Sequence, residues 1–252
     1  MLYLIGIGVG DFTVRGLAIA RNCRTIFAEI YTSVIDIPKL ELQLGKKIQS
    51  ADRDLIERNA DTLLAEAKEH DVALLIAGDP LLATTHIDLL LRAQAENIRT
   101  EVINHCSIFS LVARTGLQLY KFGKTTSIPF PEKNFKSTTP YSVFKQNQSI
   151  DAHTLFLLDL RPTEQRYLTI PEAIALLREM SEGKLPLTTM AIGGARLGMP
   201  NECVRFGMLQ QLIQEEFGEP PYCLIIPAKL HFTEREFLDQ FKRKERKGKR
   251  KI

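Results

Sequence analysis

The sequence has no tryptophan, four cysteines among its 252 residues and five histidines. The cysteines (Cys23, Cys106, Cys203 and Cys223) show neither paired nor metal-type spacing. We therefore expect reduced thiols, as in cytoplasmic proteins, rather than a disulfide framework. No histidine is separated from a cysteine or from a second histidine by the spacing typical of metal ligands, so we predict no structural or catalytic metal.

The chain also lacks a long apolar run. Residues 1–10 are apolar but few, have no basic residue before them, and are followed by Asp11. This pattern favours neither a secretory signal nor a membrane span. The expected location is the cytoplasm, with no membrane partner.

Most of the excess positive charge lies at the carboxyl terminus. Residues 242–252 carry eight basic groups and one acid, a net charge of +7, whereas the whole chain carries +3, so residues 1–241 are mildly acidic at −4. A block of like charges without apolar residues does not order itself. We predict a disordered, solubilising tail; a contact with RNA or another acidic partner through the tail is possible but not favoured.

Apolar patterning predicts an α/β fold in two domains. Strand and helix signals alternate over the first hundred residues, with strands near 2–5, 25–31, 72–77 and 98–103, and helices near 13–23, 52–70 and 84–96. This alternation is typical of a mostly parallel sheet. A loop-rich stretch, 122–140, precedes a second series of strands and helices from residue 154. We predict an amino-terminal α/β domain over 1–112, a carboxyl-terminal α/β domain over 113–241 and the tail over 242–252.

Two glycine-bearing turns follow predicted strands. The first, residues 6–11, has the spacing G-x-G-x-G and lacks both the third glycine of a dinucleotide motif and a P-loop lysine. The second, residues 78–86, contains Asp79, either an ordinary Asp-Pro turn residue or an acceptor for a ribose hydroxyl or an ammonium group. His105 and Cys106 are adjacent in sequence, so in an extended segment their side chains would diverge and form no dyad.

The two turns together resemble those of the S-adenosylmethionine-dependent tetrapyrrole methylases. Longer strings are similar to the diphthine synthase family of that superfamily: 27–33 (FAEIYTS), 78–86 (GDPLLATTH), 120–124 (YKFGK), 156–160 (FLLDL) and 229–231 (KLH). The similarity covers about residues 1–240 and leaves the tail outside.

The resemblance implies two α/β domains with S-adenosylmethionine bound in the cleft between them. It also implies a reaction: methylation of the 3-amino-3-carboxypropyl-histidine of translation elongation factor 2 to diphthine, or to its methyl ester, in diphthamide biosynthesis. S-adenosylhomocysteine is the second product. The expected partners are elongation factor 2 and, as in the superfamily generally, a second copy of the chain.

The matching motifs also imply which residues contact the cofactor: Val9, Asp79, Leu82, Ser107, Ile108, Leu158, Leu197 and Tyr222. Tyr222 departs from the family pattern, which usually has histidine there. No general base is apparent. Arg161, just past a predicted strand end, is a speculative anchor for the substrate carboxylate, and a solvated surface arginine is an equal alternative.

Two other functions remain open. One is a sibling methylase acting on a tetrapyrrole or on ribosomal RNA ribose, because the same fold hosts these reactions. The other is a non-catalytic binder that uses the basic tail on ribosome or RNA.

Overall fold

The computed structural model describes residues 1–132 and 137–243. The chain forms two compact units. The first comprises Met1–Leu111 and Leu160–Arg166, and the second comprises Val112–Asp159 and the chain from Tyr167 onward. Of the predicted basic tail, residues 244–252 lie outside the described residues.

The first unit contains a five-stranded sheet in which every pairing is parallel, as the sequence predicted. Its strands are β1 (Leu2–Gly6), β2 (Thr25–Glu29), β3 (Gln49–Ala51), β4 (Val72–Ile76) and β5 (Thr100–Ile103). Their order across the sheet is β3-β2-β4-β1-β5. All five residues of the central strand β4 are buried, which explains why its sequence shows no alternation.

The α-helices of the first unit are α1 (Val14–Asn22), α2 (Ile37–Leu44), α3 (Asp61–Glu69), α4 (Ile87–Ala95) and α5 (Ile108–Leu111). The single helix predicted over 52–70 is wrong, because a π-helical turn at Asp54–Arg58 precedes α3. Asn59 ends that turn: its side chain donates to Asp54 Oδ2 at 2.6 Å, and its backbone leaves the helical region.

Helices cover both faces of this sheet. Ala20 of α1 packs with Ile5 in one apolar core, while Leu89 of α4 packs with Leu4 in the other. Since β1 and β4 are neighbours, the chain leaves these two strands towards opposite faces. Such a reversal opens a crevice at the carboxyl ends of the two strands, where open α/β sheets bind ligands.

The second unit has a mixed sheet in the order β11-β10-β12-β7-β6. Its strands are β6 (Thr126–Ile128), β7 (Thr154–Leu158), β10 (Met190–Ala195), β11 (Cys203–Met208) and β12 (Tyr222–Ile226). The pairings are antiparallel except between β6 and β7. The two-residue strands β8 (Leu160–Arg161) and β9 (Arg166–Tyr167) pair only with each other.

The α-helices of the second unit are α6 (Thr139–Ser149), α7 (Ile170–Met180), α8 (Leu209–Leu212) and α9 (Phe232–Asp239). Helix α7 starts at a capping box of Thr169 and Glu172, with Pro171 in its first turn. The loop predicted to run to residue 140 is wrong at its end, because α6 begins at Thr139. Pro140 fits the first helical turn, where its missing N–H has no partner to lose.

The glycine-rich strand β10 is explained by packing. A Cβ on Gly193 would lie 2.4 Å from Cζ of Phe217, and one on Gly194 would lie 2.9 Å from Sγ of Cys223. The aromatic ring therefore occupies the space that a side chain would need. The two glycines allow β10 to lie between β11 and β12 with its neighbours packed directly against the backbone.

A buried ionic cluster joins α9 to the rest of the second unit. Glu234 is fully buried; one carboxylate oxygen accepts from Nε2 of His153 at 3.1 Å and the other from Nζ of Lys121 at 2.9 Å. The backbone N–H groups of Gln118 and His231 donate to the same carboxylate, at 2.9 and 2.7 Å. Four donors thus surround one buried charge.

Candidate functional site

Three turns meet at the carboxyl edge of the first sheet, where the adjacent strands β4, β1 and β5 end. They are residues 6–11 after β1, residues 78–86 after β4, and residues 104–107 after β5. We call these three turns the carboxyl-edge turns. They contain four predicted cofactor residues, Val9, Asp79, Leu82 and Ser107, and Ile108 follows directly at the start of α5.

Glycines hold the first two turns against each other. Gly8 donates its N–H to the carbonyl of Gly78 at 3.2 Å, and Gly78 donates to the carbonyl of Gly8 at 2.8 Å. A Cβ on Gly8 would lie 2.4 Å from Nδ1 of His105, and the φ of Gly8 is +48°. Both the space and the backbone geometry therefore require glycine here.

Replacing Gly8 with alanine is expected to cost about 1 to 3 kcal/mol more than replacing Gly45 with alanine, because it adds overpacking to a shared backbone cost. Gly45 also has a positive φ, +71°, but a Cβ added there would have no neighbouring atom within 4 Å. Denaturant unfolding of the two variants measures the difference. Equal losses would show that the contact with His105 relaxes without cost.

Asp79 links the second turn to the third. It is 5% exposed, and its Oδ1 accepts from the N–H of Leu81 at 3.0 Å. Its Oδ2 accepts from Nδ2 of Asn104 at 3.0 Å and from the N–H of His105 at 3.2 Å. An ionised carboxylate offers about four acceptor positions, so three internal bonds leave one for a ligand. Asp79 can therefore stabilise the turn and still accept a hydrogen bond from a ligand.

His105 and Cys106 do not diverge as the sequence analysis expected. Nδ1 of His105 lies 3.3 Å from Sγ of Cys106 and accepts the N–H of Cys106 at 2.8 Å. The expectation is wrong because residues 104–107 form a turn rather than an extended segment. Burial, and then the nearby charge of Asp11, raise the pKa of Cys106, so the sulfur stays a protonated thiol and is not an activated nucleophile.

His105 also faces Asp11. Its Nε2 lies 3.6 Å from Oδ1 of Asp11, a residue of the first turn. Since Nδ1 accepts a backbone N–H, the neutral imidazole carries its hydrogen on Nε2, directed towards this carboxylate. The pair thus ties the third turn to the first.

The two strings singled out at 27–33 and 78–86 meet inside the first unit. Glu29 and His86 are both fully buried, with Oε2 of Glu29 3.6 Å from Nε2 of His86. Sequence reasoning did not predict this contact, which joins residues 57 positions apart. The presence of a carboxylate in one string and an imidazole in the other was the available signal.

Ser107 begins α5. Its carbonyl accepts from the N–H groups of Ser110 and Leu111 at 3.0 and 2.9 Å, and its Oγ accepts from the N–H of Phe109 at 3.3 Å. Ser107 is 5% exposed, whereas Leu82 is 46% exposed.

The other predicted cofactor residues lie at one edge of the second sheet. Leu158 ends β7, Leu197 follows β10, and Tyr222 begins the strand β12 that lies between them. The register pairs Ala195 with Tyr222, so these three positions come together within the second unit. The hydroxyl of Tyr222 donates to the carbonyl of Gly218.

The turn that bears Leu197 is held by a buried arginine. Arg196 is 8% exposed, has a φ of +51°, and donates to the carbonyls of Asn201 and Phe217 at 3.0 and 2.9 Å and to that of Glu219. Glu202 accepts the N–H of Gly198 at 3.0 Å and is itself paired with Arg114. The backbone at Leu197 is therefore fixed from both sides.

Within residues 1–132 and 137–243, no three histidine, cysteine, aspartate or glutamate side chains lie close enough to bind a metal ion. No helix among these residues is long and apolar enough to cross a membrane.

The parallel sheet with its carboxyl-edge turns and the mixed second sheet define a class of protein. A model of the tetrapyrrole (corrin/porphyrin) methylases matches residues 1–213. The chain belongs to this methylase family.

Comparison with individual relatives shows to which group within the methylase family the chain belongs. The diphthine synthase of Methanocaldococcus jannaschii is 44% identical over 250 residues, covering 94% of this chain and 97% of the relative. That of Methanococcus maripaludis is 40% identical over 248 residues, with the same coverage. A solved structure of a diphthine synthase, 35% identical, matches 96% of this chain and 95% of its own with a TM-score of 0.88. Within the methylase family, the chain belongs with the diphthine synthases.

Proposed function

We propose that this chain is an S-adenosylmethionine-dependent methyltransferase that methylates the 3-amino-3-carboxypropyl-histidine of elongation factor 2 in diphthamide biosynthesis. The observation that carries this proposal is the 44% identity to a diphthine synthase over 94% of the chain. The sibling activities, on a tetrapyrrole or on ribosomal RNA ribose, lack a comparable full-length relative among those described above.

The carboxyl-edge turns fit the methyl donor chemically. Gly6 and Gly8 let the turns pack directly against each other, since a Cβ at either position would meet neighbouring protein atoms within 3.0 Å. Asp79 keeps one acceptor position for a ribose hydroxyl or the ammonium group. Leu82 and Ile108 supply apolar surface.

The proposed cofactor residues are those that the resemblance implied: Val9, Asp79, Leu82, Ser107, Ile108, Leu158, Leu197 and Tyr222. The location of the cofactor between two domains stays a prediction, as do the individual contacts. Because the Tyr222 hydroxyl is used by Gly218, its proposed contact is through its ring or backbone.

The main task of the protein in this reaction is to align the acceptor amine with the methyl group. S-adenosylmethionine supplies an activated methyl group when bound. The residues of the turns hold the acceptor amine in line with that group and exclude water. The amine must lose a proton first, because its reference pKa, like that of lysine, is about 10.

Arg161 is proposed as the anchor for the substrate carboxylate. Its Nη1 lies 3.7 Å from Oε2 of Glu164, and its side chain is 40% exposed. Arg161→Ala is expected to raise the KM for modified elongation factor 2 about tenfold, the loss of one charge-assisted contact, with the affinity for S-adenosylmethionine unchanged.

Arg58→Ala is the matched control for Arg161→Ala. Arg58 makes a similar surface ion pair, 3.6 Å from Asp54, on the π-helical turn. Its replacement is expected to leave the KM unchanged. An unchanged KM in Arg161→Ala as well would remove Arg161 from the site.

Mass spectrometry of elongation factor 2 tests the function. The substrate carries the 3-amino-3-carboxypropyl group and is incubated with the enzyme and S-adenosylmethionine. Three or four added methyl groups would establish both the reaction and its extent, whereas none would refute the proposal. Calorimetry with S-adenosylmethionine distinguishes the methyltransferase from the alternative of a non-catalytic ribosome or RNA binder. Such a binder would not bind S-adenosylmethionine.

The enzyme is proposed to act in the cytoplasm as a homodimer, with elongation factor 2 as its protein partner. Removal of residues 242–252 leaves methyl transfer intact if the tail is only solubilising.

A further inference from the structure

His86 is fully buried at the end of the turn 78–86, although no step of the proposed chemistry uses it. Its Nδ1 lies 3.1 Å from the carbonyl oxygen of Pro80 and 2.6 Å from Oγ1 of Thr84. Because a carbonyl only accepts hydrogen bonds, Nδ1 carries a hydrogen and donates it to Pro80. The imidazole therefore closes the turn from its last residue back to its third.

The other ring nitrogen faces a buried carboxylate. Nε2 of His86 has no hydrogen-bond partner, and Oε2 of Glu29 lies 3.6 Å away. Glu29 accepts the N–H groups of Tyr31 and Thr32 at 3.1 and 2.6 Å and the hydroxyl of Thr32 at 2.7 Å. The carboxylate is thus fixed by the chain that follows β2. With its hydrogen on Nδ1, a neutral ring turns its Nε2 lone pair towards this carboxylate, so the contacts of Nδ1, and not Glu29, hold the ring in place.

Besides the contacts of His86, the N–H of Leu81 donates to Oδ1 of Asp79 at 3.0 Å, and the hydroxyl of Thr85 donates to Oε1 of Glu57 at 3.2 Å. The N–H of Leu82 reaches the carbonyl of Asp79 only at 3.4 Å. Ala83 has a φ of +59°, a left-handed geometry that costs a non-glycine residue about 1 to 2 kcal/mol. Such a conformation persists only where the surroundings impose it. The contacts of His86 with Pro80 and Thr84 lie on either side of Ala83 and so help to hold it in this conformation.

We propose that His86 is a positioning residue for the methyl donor. Through Nδ1, it holds the carbonyl of Pro80 and so fixes the backbone from Asp79 to Leu82 in the geometry that binds S-adenosylmethionine. This role rests on the proposed function of the carboxyl-edge turns.

Two substitutions distinguish a role of the His86 hydrogen bond from a role of the volume of its side chain. His86→Leu keeps the volume but removes the donor, whereas His86→Asn places an amide N–H where Nδ1 stood. We expect His86→Leu to weaken S-adenosylmethionine binding about tenfold or more, the loss of one buried hydrogen bond and its geometry. We expect His86→Asn to remain within about threefold of wild type. A purely structural role would change the melting temperature without this difference in affinity between folded variants.

His70→Gln is the matched control. His70 also lies beside a glutamate in the first unit, 3.3 Å from Oε2 of Glu66, but its Nε2 pairs with Oγ1 of Thr25, at the start of β2. Its substitution is expected to leave the affinity unchanged. If His86→Leu does not fold, His86→Met replaces it, since it also removes the donor and is expected to weaken binding to a similar extent.

Calorimetry of the full chain, well below each variant's melting temperature, gives the outcome. If the wild type does not bind S-adenosylmethionine, the proposed function of the turns fails, and the role of His86 fails with it. If the wild type binds and His86→Leu (or His86→Met) binds equally well, the positioning role alone is overturned. Equal weakening by Leu and Asn would also overturn it, because the donor at Nδ1 would then not matter.

Discussion

Replacing Asp79 with asparagine is expected to weaken S-adenosylmethionine binding about 100-fold, equivalent to roughly 3 kcal/mol. Asp79 accepts three internal hydrogen bonds through both of its oxygens. An amide has one acceptor oxygen, so its NH₂ group would face either the N–H of Leu81 or the donors of Asn104 and His105. The acceptor position proposed for the ligand would be lost together with the link between two turns.

The control for this substitution is Asp88→Asn. Asp88 lies in the first turn of α4, is largely exposed, and pairs with Arg92 at 2.8 Å. Its substitution removes the same charge near the same turn and should change the affinity less than twofold, since exposed ion pairs contribute about 0 to 1 kcal/mol. Isothermal calorimetry measures both variants. An unchanged dissociation constant in Asp79→Asn would show that Asp79 serves the turn alone.

Replacing Glu234 with glutamine is expected to lower the free energy of unfolding by about 3 kcal/mol, as for other buried ion pairs that lose one partner. The amide NH₂ would face Lys121 and the His231 N–H, or else His153 and the Gln118 N–H, which are all donors. Denaturant unfolding measures the loss. Glu236→Gln, an exposed position on the same helix, should stay within about 0.5 kcal/mol of wild type.

The same cluster makes stability depend on pH. Burial alone would raise the pKa of Glu234, but hydrogen bonds from the Gln118 N–H, Lys121, the His231 N–H and His153 outweigh it and lower the pKa to about 2. Because the folded pKa lies below the unfolded value, the stabilisation is present above about pH 4.5 and is lost as the pH falls towards 2.

Burial also lowers the pKa of His153, against the opposing effect of Glu234. Its Nδ1 accepts the N–H of Ala228 at 2.9 Å, so the folded state favours the neutral ring. This contribution is present above the unfolded value of about 6.5 and declines as the pH falls below it. Wild type should therefore lose stability steadily from pH 7 to pH 3, and Glu234→Gln should lose less between pH 4.5 and 3. Parallel profiles would contradict the assignment.

Patterns of apolar residues predicted the strands and helices whose formation depends on neighbouring residues in the sequence. The apolar runs that became β1 and β4 act over only a few residues. The π-helical turn could not be predicted in this way, because it depends on how Asn59 bonds back to Asp54. Helix α6 was missed because Pro140 is typical of loops as well as of first helical turns.

In the candidate site, too, the local features could be predicted from the sequence and the long-range contacts could not. The glycine turns at 6–11 and 78–86 are evident from sequence, and parallel strands bring their ends to one edge. The partners of Asp79, however, are Asn104 and His105, 25 and 26 residues away. The contact of His105 with Cys106 depends on a turn geometry that alternation rules do not describe. Such contacts are set by tertiary packing, and only the structure reveals them.

The division of the chain into two units has a consequence for biosynthesis. The first unit includes Leu160–Arg166, which follows β7 of the second unit. During translation, the ribosome must therefore release residue 166 before the first unit has all of its parts, by which time β6, α6 and β7 have already been made. A fragment ending near residue 111 lacks this segment. The two units are thus expected to mature together, and a stop codon before residue 166 would leave neither unit complete.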